Sequence, residues 1–346
     1  MKRRNQVRQS VAVSAALLAA LFLLPLLVVA PFRTALFGRE AAVDETEGAP
    51  FVSGQRDAGT VLRVLDGETV LEMDLGEYLL GVVRAEMPAS FQPEALKAQT
   101  VAARTYTLYK LQSGGNHGDT ADICTDHTCC QAYIGEERAR ANWGADADVY
   151  EKKIEEAVAA TDGEVILYGG EPILAVFHSS SAGLTRTAGE VWQSDLPYLQ
   201  AVSSPEAGES IPNYYSRVEF PAEELRQKLR AAFPEADLDC GLGEILRDAQ
   251  RDTAGSISTV SVGGVTVKGS SLRSALGLRS ACFTWEAQGE TLVFFVTGYG
   301  HGVGMSQYGA NAMAEAGADY REILTHYYTG VTVEAWAADF TNHDPA

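Results

Sequence analysis

The chain has 346 residues, of which 46% are hydrophobic and 21% are charged, and its formal net charge at pH 7 is −19. All 46 acidic residues lie after Arg33, whereas five of the 27 basic residues lie at or before it, so the 46 acids face only 22 bases. Because like charges repel, this surface repels nucleic acid and anionic wall polymers, whereas a neutral glycan is indifferent to it.

The N-terminus has the pattern of a membrane anchor. Residues 1–10 are basic, and residues 11–30 carry no charge, which is long enough for a helix to cross a hydrocarbon core of about 30 Å. We predict a cytoplasmic N-terminus at 1–10, one transmembrane helix at 11–30 and an extracytoplasmic remainder, as the positive-inside rule requires. The chain is then a single-pass protein of the cell membrane. A cleaved signal peptide is the alternative, although Pro31 directly follows the candidate cleavage site.

Two further regions follow the predicted anchor. Residues 31–56 include the acidic stretch "GREAAVDETEGAP" and few large apolar side chains, so they are predicted to form an extracytoplasmic linker. Residues 57–346 are predicted to form the folded region, whose length fits either two lobes or one elaborated domain.

Hairpins and helices are predicted along this folded region. Asp66-Gly67 and Gly169-Gly170 each separate two β-rich runs and mark hairpin tips. Helical patterns run over Leu75–Glu86, Pro93–Lys110, Val149–Thr161, Ala222–Phe233 and Ser306–Ala316. Because these elements do not alternate as βαβ units, we predict an α+β fold with mainly antiparallel sheets and several helices, two-lobed with a central cleft.

A single carboxylate, Glu86, stands at a predicted chain break. Pro88 disfavours helical geometry at Met87, so the helix is expected to end at Glu86. Met87 and Phe91 give an apolar setting, which would raise the pKa of Glu86 and keep it protonated, as a glycosidase acid requires. The alternative is an ordinary solvated glutamate at a helix end.

Several motifs resemble those of one family. The pattern Val-x-x-Glu-Met-Pro at 83–88 is followed by Phe91 and "EALKAQTVAARTY". Further motifs follow in the order "CCQAY" (129–133), "FHSSSAGLT" (177–185), "LPYLQAVSS" (196–204), "VKGSSLRSALGLRS" (267–280), "GYGHGVGMSQYGANAMAEAG" (298–317) and "ILTHYYTGV" (323–331). Together they resemble the SpoIID/LytB family over nearly all of the predicted exterior chain.

The resemblance implies a peptidoglycan lytic transglycosylase, active in sporulation engulfment, that cleaves the bond between N-acetylmuramic acid and N-acetylglucosamine. It places the catalytic acid at Glu86. One carboxylate suffices because a hydroxyl of the muramic acid itself closes onto the anomeric carbon and forms an anhydro end, whereas glycoside hydrolases commonly need a carboxylate pair. Family members work on peptide-stripped glycan strands with a membrane-anchored amidase of the SpoIIP type, which is the partner that the resemblance implies.

Substrate contacts are predicted at residues that follow Glu86 in the chain. Lys97 and Arg104 lie seven residues apart and share a helix face that could aim two cations at the cleft, and the family motif carries an arginine at position 104. For Lys97, an ion pair with Glu94 is the equal alternative. The other candidate contacts are Tyr133, Ser179, Ser180, Tyr198, His301, Gln307 and Tyr308. A core position is the alternative for Tyr198, and a structural hydrogen bond is the alternative for His301.

Three of the five cysteines cluster in "NHGDTADICTDHTCCQAY". Thiolates and imidazole in one loop can close a structural zinc site. The resemblance favours the ligand set His117, Cys124, Cys129 and Cys130, with His127 competing for the fourth position. A disulfide from Cys124 to Cys129 or Cys130 is the alternative. Cys240 and Cys282 are predicted to be buried thiols or a disulfide pair.

Other enzyme classes fit the sequence less well. The glycines of "GYGHGVGMSQYG" do not have the spacing of a nucleotide-binding loop, so no organic cofactor is expected. The segment "HSSSAGLT" lacks the Gly-x-Ser-x-Gly context, so a serine nucleophile is not expected. Two rivals to the transglycosylase are a non-catalytic wall-binding amidase enhancer and a zinc hydrolase. The retained Glu-Met-Pro context opposes the first, and the absence of His-Glu-x-x-His opposes the second.

Overall fold

The computed structural model describes residues 51–336, apart from Asn116, Gln193 and Ala207. The predicted transmembrane helix at 11–30 and nearly all of the predicted linker lie outside the described residues. Within the described part of the chain, no helix is long and apolar enough to cross a membrane.

Ten helices and fourteen strands occur in the described residues, together with three short 3₁₀ turns. The helices are α1 Gln55–Ala58, α2 Leu75–Glu86, α3 Pro93–Gln112, α4 Glu136–Trp143, α5 Ala147–Ala160, α6 Ala188–Trp192, α7 Ala222–Ala232, α8 Gly269–Leu276, α9 Gln307–Glu315 and α10 Tyr320–Tyr327. The strands are β1 Val61–Asp66, β2 Thr69–Asp74, β3 Ile123–Cys124, β4 Glu164–Tyr168, β5 Glu171–Pro172, β6 Phe177–His178, β7 Tyr215–Pro221, β8 Leu246–Arg251, β9 Ile257–Val262, β10 Val265–Lys268, β11 Phe283–Gln288, β12 Thr291–Thr297, β13 Met305–Ser306 and β14 Thr332–Ala335.

Both predicted hairpins are confirmed. Strands β1 and β2 pair antiparallel from Val61 opposite Asp74 down to Asp66 opposite Thr69. Gly67 occupies the tip with a φ of 61°, a left-handed conformation that glycine adopts without steric strain. The second hairpin pairs β4 with β5 around Gly169-Gly170. The turn residues Asp66-Gly67 and Gly169-Gly170 therefore correctly predicted both hairpin tips.

The predicted helices are also present. Helix α2 begins after Asp74, whose side chain accepts a hydrogen bond from the Glu77 N–H at 2.9 Å, and it ends at Glu86. Met87 is extended, with φ −125° and ψ 135°, as expected for the residue before a proline. The other four predicted helices have observed bounds within about two residues of the predicted ones, the usual uncertainty of helix ends.

The described strands form five small sheets, in the orders β2-β1-β3, β10-β9-β8, β11-β12-β7, β13-β6 and β14-β4-β5. The pairs β1–β3 and β13–β6 are parallel, and the other described pairs are antiparallel. The α+β class with mainly antiparallel sheets is therefore confirmed. The two-lobed form with a central cleft stays a prediction.

Helix α3 is the central element of the part of the fold around Glu86. It packs against α2, α5, α9, α10 and β4, and it is buried on nearly every side. Small residues such as Ala95, Ala98 and Ala102 have no exposed surface and let its neighbours approach closely. A helix surrounded in this way is held by packing rather than by its own propensity.

A further hydrophobic core is built from residues later in the chain. It joins side chains of the sheets β8–β10 and β7, β11 and β12 with those of α7 and α8. Its buried members are Phe220, Leu225, Leu229, Leu238, Ile245, Leu246, Ile257, Val260, Val262, Leu272, Leu276, Leu278, Phe283, Leu292, Phe294 and Val296. This core fixes α8, whose polar side is described below.

The start of the described chain packs onto the fold. The backbone N–H groups of Arg56 and Asp57 donate to the Asp162 carboxylate, at 3.1 and 2.9 Å. The Asp57 side chain is only 1% exposed. The last residue of the predicted linker, Arg56, is therefore already packed against the folded region.

Candidate active site

Glu86 occupies the last position of α2 and is half-buried. Its Oε1 accepts a hydrogen bond from the Ala132 backbone N–H at 2.7 Å. The chain turns away at Met87, so the carboxylate is held at a break with one oxygen fixed by a neighbouring loop.

The environment of Glu86 favours the protonated acid. Burial raises its pKa above the ordinary value, and this effect exceeds the lowering by hydrogen bonds from Ala132 and Gln307 and by the charge of His127. In the described part of the chain, no second carboxylate acts on its pKa. The arrangement suits a single carboxyl group that donates a proton and is then stabilised as an anion by fixed donors.

The turn after Glu86 is held by a lysine that was not predicted from the sequence. Lys153 on α5 donates hydrogen bonds to the carbonyl oxygen of Ala89, at 3.2 Å, and to that of Phe91. Burial lowers the pKa of Lys153 from its ordinary value. Nothing in the local sequence distinguishes Lys153 from its exposed neighbour Lys152, because the contact joins elements more than sixty residues apart.

Gln307, which was predicted as a sugar contact, lies near Glu86. It begins α9, is 6% exposed, and its side chain lies near enough to Glu86 to lower the pKa of the acid. Its Nε2 also donates to Oε1 of Gln99 at 3.4 Å. Gln99, which lies on α3, was not predicted. Its amide Nε2 is buried without a hydrogen-bond partner in the described residues.

Tyr308 and Ser179 lie beside this pair. The Tyr308 ring packs edge-on against Phe91, with centroids 4.9 Å apart, and its backbone N–H donates to the Ser179 carbonyl oxygen at 3.0 Å. Both residues remain partly exposed. These contacts bring the segments 86–91, 177–181 and 305–308 together.

Three other predicted contacts lie in different surroundings. Tyr198 is 8% exposed, and its hydroxyl accepts a hydrogen bond from the Leu174 N–H at 3.2 Å, so it fills the core as the alternative interpretation held. Ser180 is 3% exposed, and its Oγ has no described hydrogen-bond partner. His301 packs against the rings of His178 and Trp192, at 5.5 and 5.2 Å. None of the described hydrogen bonds of Glu86 involves these residues.

Arg104 does not face a cleft. It has no exposed surface, and its guanidinium donates to both oxygens of Asp57, at 2.8 and 2.6 Å, and to the Glu164 carbonyl oxygen at 3.2 Å. The apolar neighbours of Arg104 correctly predicted more than a surface residue, but the predicted cleft-facing position is wrong. A buried, bidentate ion pair leaves no guanidinium face for a glycan, so we assign Arg104 a structural role.

Lys97 forms the local ion pair that was its alternative interpretation. Its Nζ lies 2.6 Å from Oε1 of Glu94 and 5.8 Å from the centroid of the Tyr320 ring. The side chain is 25% exposed, so it is not sequestered. Its predicted contact with substrate stays a prediction.

Tyr133 is held by stacking. Its ring lies nearly parallel to that of Tyr78, with centroids 5.9 Å apart. It covers Gly81 so closely that a Cβ at that position would lie 2.1 Å from Tyr133. Only glycine fits at position 81, because the Tyr133 ring lies so close to its backbone. The half-buried Tyr133 directly follows Ala132 in the same loop.

The predicted ligand set forms one cluster. The ligand atoms of His117, Cys124, Cys129 and Cys130 lie within 4.8 Å of one another. Nε2 of His117 is 3.6 Å from the sulfur of Cys129 and 3.6 Å from that of Cys130, and the two sulfurs are 3.9 Å apart. These separations exceed a disulfide bond length of about 2.05 Å.

The other candidates lie outside this cluster. The His127 side chain is 77% exposed and lies 3.8 Å from the carboxylate of Asp126, so His117 is the histidine of the cluster. Cys240 and Cys282 are free thiols rather than a disulfide pair, and they are half-buried rather than buried as expected. The cluster is linked directly to the acid, because Cys130 lies two residues before Ala132, the donor to Glu86.

Comparisons with known proteins agree with the motifs. The family profile described as stage II sporulation protein (SpoIID) matches residues 66–168. The chain is 36% identical over 323 residues to stage II sporulation protein D of Bacillus amyloliquefaciens, covering 90% of this chain and 92% of the relative. It is 36% identical over 333 residues to the same protein of Bacillus subtilis, covering 93% and 95%. An amidase enhancer of Bacillus subtilis is 30% identical over 305 residues, covering 75% of this chain and 40% of that protein.

Proposed function

Because the chain belongs to the stage II sporulation protein D family, we propose that it is a peptidoglycan lytic transglycosylase of sporulation in which Glu86 is the catalytic acid. The substrate is the peptide-stripped glycan strand, cleaved between N-acetylmuramic acid and N-acetylglucosamine. The observation that carries the proposal is the half-buried Glu86, with a raised pKa and a fixed backbone donor. In the described residues, its pKa responds to no second carboxylate.

The proposed reaction uses Glu86 twice. The protonated carboxyl donates to the leaving glycosidic oxygen, and the resulting carboxylate takes a proton from the muramic acid hydroxyl that attacks the anomeric carbon. Ala132 N–H and the Gln307 amide hold the carboxylate between these steps and stabilise its charge. Tyr308 and Ser179, which stand beside Gln307 and are partly exposed, are the proposed glycan contacts.

Product analysis tests this proposal. Peptide-free glycan strands digested with the extracytoplasmic part from Val52 onward are expected to carry anhydro-muramyl ends, which mass spectrometry distinguishes by the loss of one water. Ordinary reducing ends would contradict the transglycosylase mechanism, because they require water rather than the sugar hydroxyl as the attacking group.

The pH dependence follows from the raised pKa of Glu86. The acid stays protonated to a higher pH than an ordinary glutamate of about 4.3, so activity is expected to persist above that pH and to fall as pH rises through the pKa of Glu86. The same shift makes Glu86 stabilise the fold below its unfolded pKa, and this contribution is lost as pH rises through the folded pKa.

The stability part of this prediction has a simple measurement. Glu86→Gln cannot ionise, so between about pH 4 and pH 8 its melting temperature should fall less than that of the wild type. Glu77→Gln, on the exposed side of the same helix, is the matched control and should follow the wild-type curve. Parallel curves for Glu86→Gln and the wild type would contradict the raised pKa.

The cluster of His117, Cys124, Cys129 and Cys130 is the proposed structural zinc site. Zinc bonded tetrahedrally at about 2.3 Å to sulfur and about 2.0 Å to nitrogen sets the ligand atoms about 3.6 to 3.8 Å apart. The separations of 3.6 and 3.9 Å among His117, Cys129 and Cys130 fit this geometry, and the four ligand atoms with Cys124 lie within 4.8 Å of one another. Four protein ligands leave no open position for water, so the ion would order the loop before Ala132 and take no part in hydrolysis.

Elemental analysis tests the zinc site. Protein purified under reducing conditions is expected to contain about one zinc per chain, and Cys124→Ser should lower both metal content and melting temperature without changing the type of product. Cys240→Ser, a free thiol outside the cluster, is the control and should change neither. Absence of metal, or a disulfide at Cys124 in native protein, would contradict the proposal.

The amidase enhancer is the second candidate function, because the chain is 30% identical to a protein of that name. In this case the protein would bind the wall and raise the activity of an amidase without cutting glycan. The same digestion separates the two candidates: strands that are bound but left uncut would favour the enhancer.

The remaining proposals concern location and partners. We place the protein in the cell membrane through residues 11–30, with the catalytic region outside and the N-terminus in the cytoplasm. The implied partner is a membrane-anchored amidase of the SpoIIP type, which removes stem peptides before the glycan is cut. Support for both comes from the sequence pattern and the family.

A further inference from the structure

A cavity of about 740 Å³ lies away from the described contacts of Glu86. Its walls come from α6, the end of α7, one side of α8 and the loop at Gly300 and His301. In the described part of the chain, no aspartate or glutamate lines it, whereas Arg186 and Arg273 do. This lining contrasts with a protein that carries 46 acidic residues and a net charge of −19.

Arg273 is the charge that the cavity leaves uncompensated. Its Nε donates to the carbonyl oxygens of Leu278 and Arg279, each at 3.2 Å, which fixes the guanidinium plane. Its terminal nitrogens have no hydrogen-bond partner among the described residues. Burial and the charge of Arg186 lower the pKa of Arg273. By contrast, Arg186 is paired with Asp252 at 2.7 Å.

Further groups in the wall suit a polar, anionic ligand. Ser270 and Ser271 stand in the first turn of α8, where the backbone N–H groups carry the positive end of the helix dipole and no side chain caps the helix. Ser274 adds an exposed hydroxyl one turn later. Hydroxyls and an unpaired guanidinium recognise a carboxylate together with neighbouring hydroxyl groups.

An aromatic side chain offers a surface for a sugar ring. Trp192 at the end of α6 is 40% exposed and packs against His301, with ring centroids 5.2 Å apart. Burial, followed by the charge of Arg273, lowers the pKa of His301 to about 4, so this imidazole is neutral at pH 7 and leaves the positive charge to the arginines. Indole rings are large, rigid contact surfaces with an apolar face.

From these groups we infer that the cavity is a second glycan site, which binds a sugar bearing a free carboxylate, with Arg273 on the carboxylate and Trp192 on the ring. N-acetylmuramic acid has this chemistry once its stem peptide is removed, because the lactyl carboxylate is then no longer tied up in an amide. The inference rests on the proposed function, since it takes the peptide-stripped strand as the ligand. It adds a reason why stripped strands are selected over intact ones.

The cavity is within reach of the same strand as Glu86. His301 in its wall and Gln307 at Glu86 are six residues apart along one segment, so their Cα atoms lie at most about 20 Å apart. A strand of a few sugar units spans that distance. The second site would therefore hold one part of a strand while another part lies at the acid.

Binding measurements separate this inference from catalysis. Full-length protein in detergent, carrying Glu86→Gln so that strands stay intact, is titrated with peptide-stripped glycan strands, with peptide-bearing strands and with a neutral N-acetylglucosamine oligomer. Arg273→Gln is expected to weaken binding of stripped strands by about tenfold, the loss typical of a charge-assisted hydrogen bond, and to leave the neutral oligomer unaffected. Free N-acetylmuramic acid should compete with stripped strands for binding to the parent protein, which retains Arg273, but not for binding to the Arg273→Gln variant.

Two further variants guard against misfolding and non-specific charge effects. Ser274→Asp places a negative charge on an exposed wall position and should also weaken only the stripped strands. Arg279→Gln removes a nearby arginine that lies over Tyr299 and does not line the cavity, so it should bind as the parent does. Equal affinity of Arg273→Gln and its parent for stripped strands, or equal losses for charged and neutral glycans, would overturn the inference. If the wild-type protein forms no anhydro products, only the proposed function is overturned.

Discussion

Replacing Glu86 with glutamine is expected to abolish the formation of anhydro-muramyl ends. Glutamine has nearly the same shape and can still accept the hydrogen bond from Ala132, but it has no proton to give to the leaving oxygen. Loss of a general acid lowers the rate by roughly 10² to 10⁴. The measurement is the rate of release of anhydro products from peptide-stripped strands, at equal concentrations of folded protein.

Two variants make this result specific. Glu86→Asp keeps an acid but shortens the side chain, so it should retain a small fraction of the activity and keep the anhydro product. Glu77→Gln removes a carboxylate from the exposed side of the same helix and should be as active as the wild type. Full activity in Glu86→Gln would contradict the assignment of the acid.

Local structure around Glu86 was predictable because short-range chemistry determines it. Asp74 caps α2, and Pro88 forces Met87 out of the helix, so both ends of the element follow from single residues. The same holds for the hairpin at Asp66-Gly67. In each case, the residues that decide the conformation are neighbours in the sequence.

Contacts that connect distant segments were not predictable in this way. The Ala132 N–H is a backbone group, so no residue type announces that it will bind Glu86 forty-six positions earlier. Lys153 holds the turn after Glu86 through carbonyl oxygens, and Gln99 reaches Gln307 across 208 residues. These contacts depend on how the helices pack around α3. The cysteine cluster was an exception, because its ligand chemistry is recognisable in a short stretch of sequence.

Arg104 illustrates the limit of a helix-face argument. Its apolar neighbours indicated that the side chain was not on an ordinary surface, but a buried side and a cleft-facing side look alike in sequence. The deciding residue was Asp57, which lies at the edge of the predicted linker, where no partner for a central helix was expected. The ion pair between Asp57 and Arg104 thus ties the start of the described chain to the middle of the fold.

Arg104→Ala is therefore expected to destabilise the protein strongly, and Asp57→Ala should have a similar effect. The two side chains are 0% and 1% exposed, so removing either one leaves the other as an unpaired buried charge. Breaking such a pair costs about 3 to 5 kcal/mol of unfolding free energy. Urea denaturation of the protein from Val52 onward measures this change directly. Lys152→Ala, which breaks an ion pair between side chains that are 76% and 68% exposed, is the control and should change stability little.

The structural role is distinguished from substrate binding by two comparisons. The double variant Asp57→Leu with Arg104→Met removes both charges and should recover much of the stability lost in either single alanine variant, because no buried charge is left unpaired. At a temperature where it is folded, this double variant should bind stripped glycan with unchanged affinity. An Arg104→Ala protein that is as stable as the wild type but binds glycan more weakly would return Arg104 to the substrate site. A guanidinium that contacts glycan would be needed for binding in both the single and the double variant.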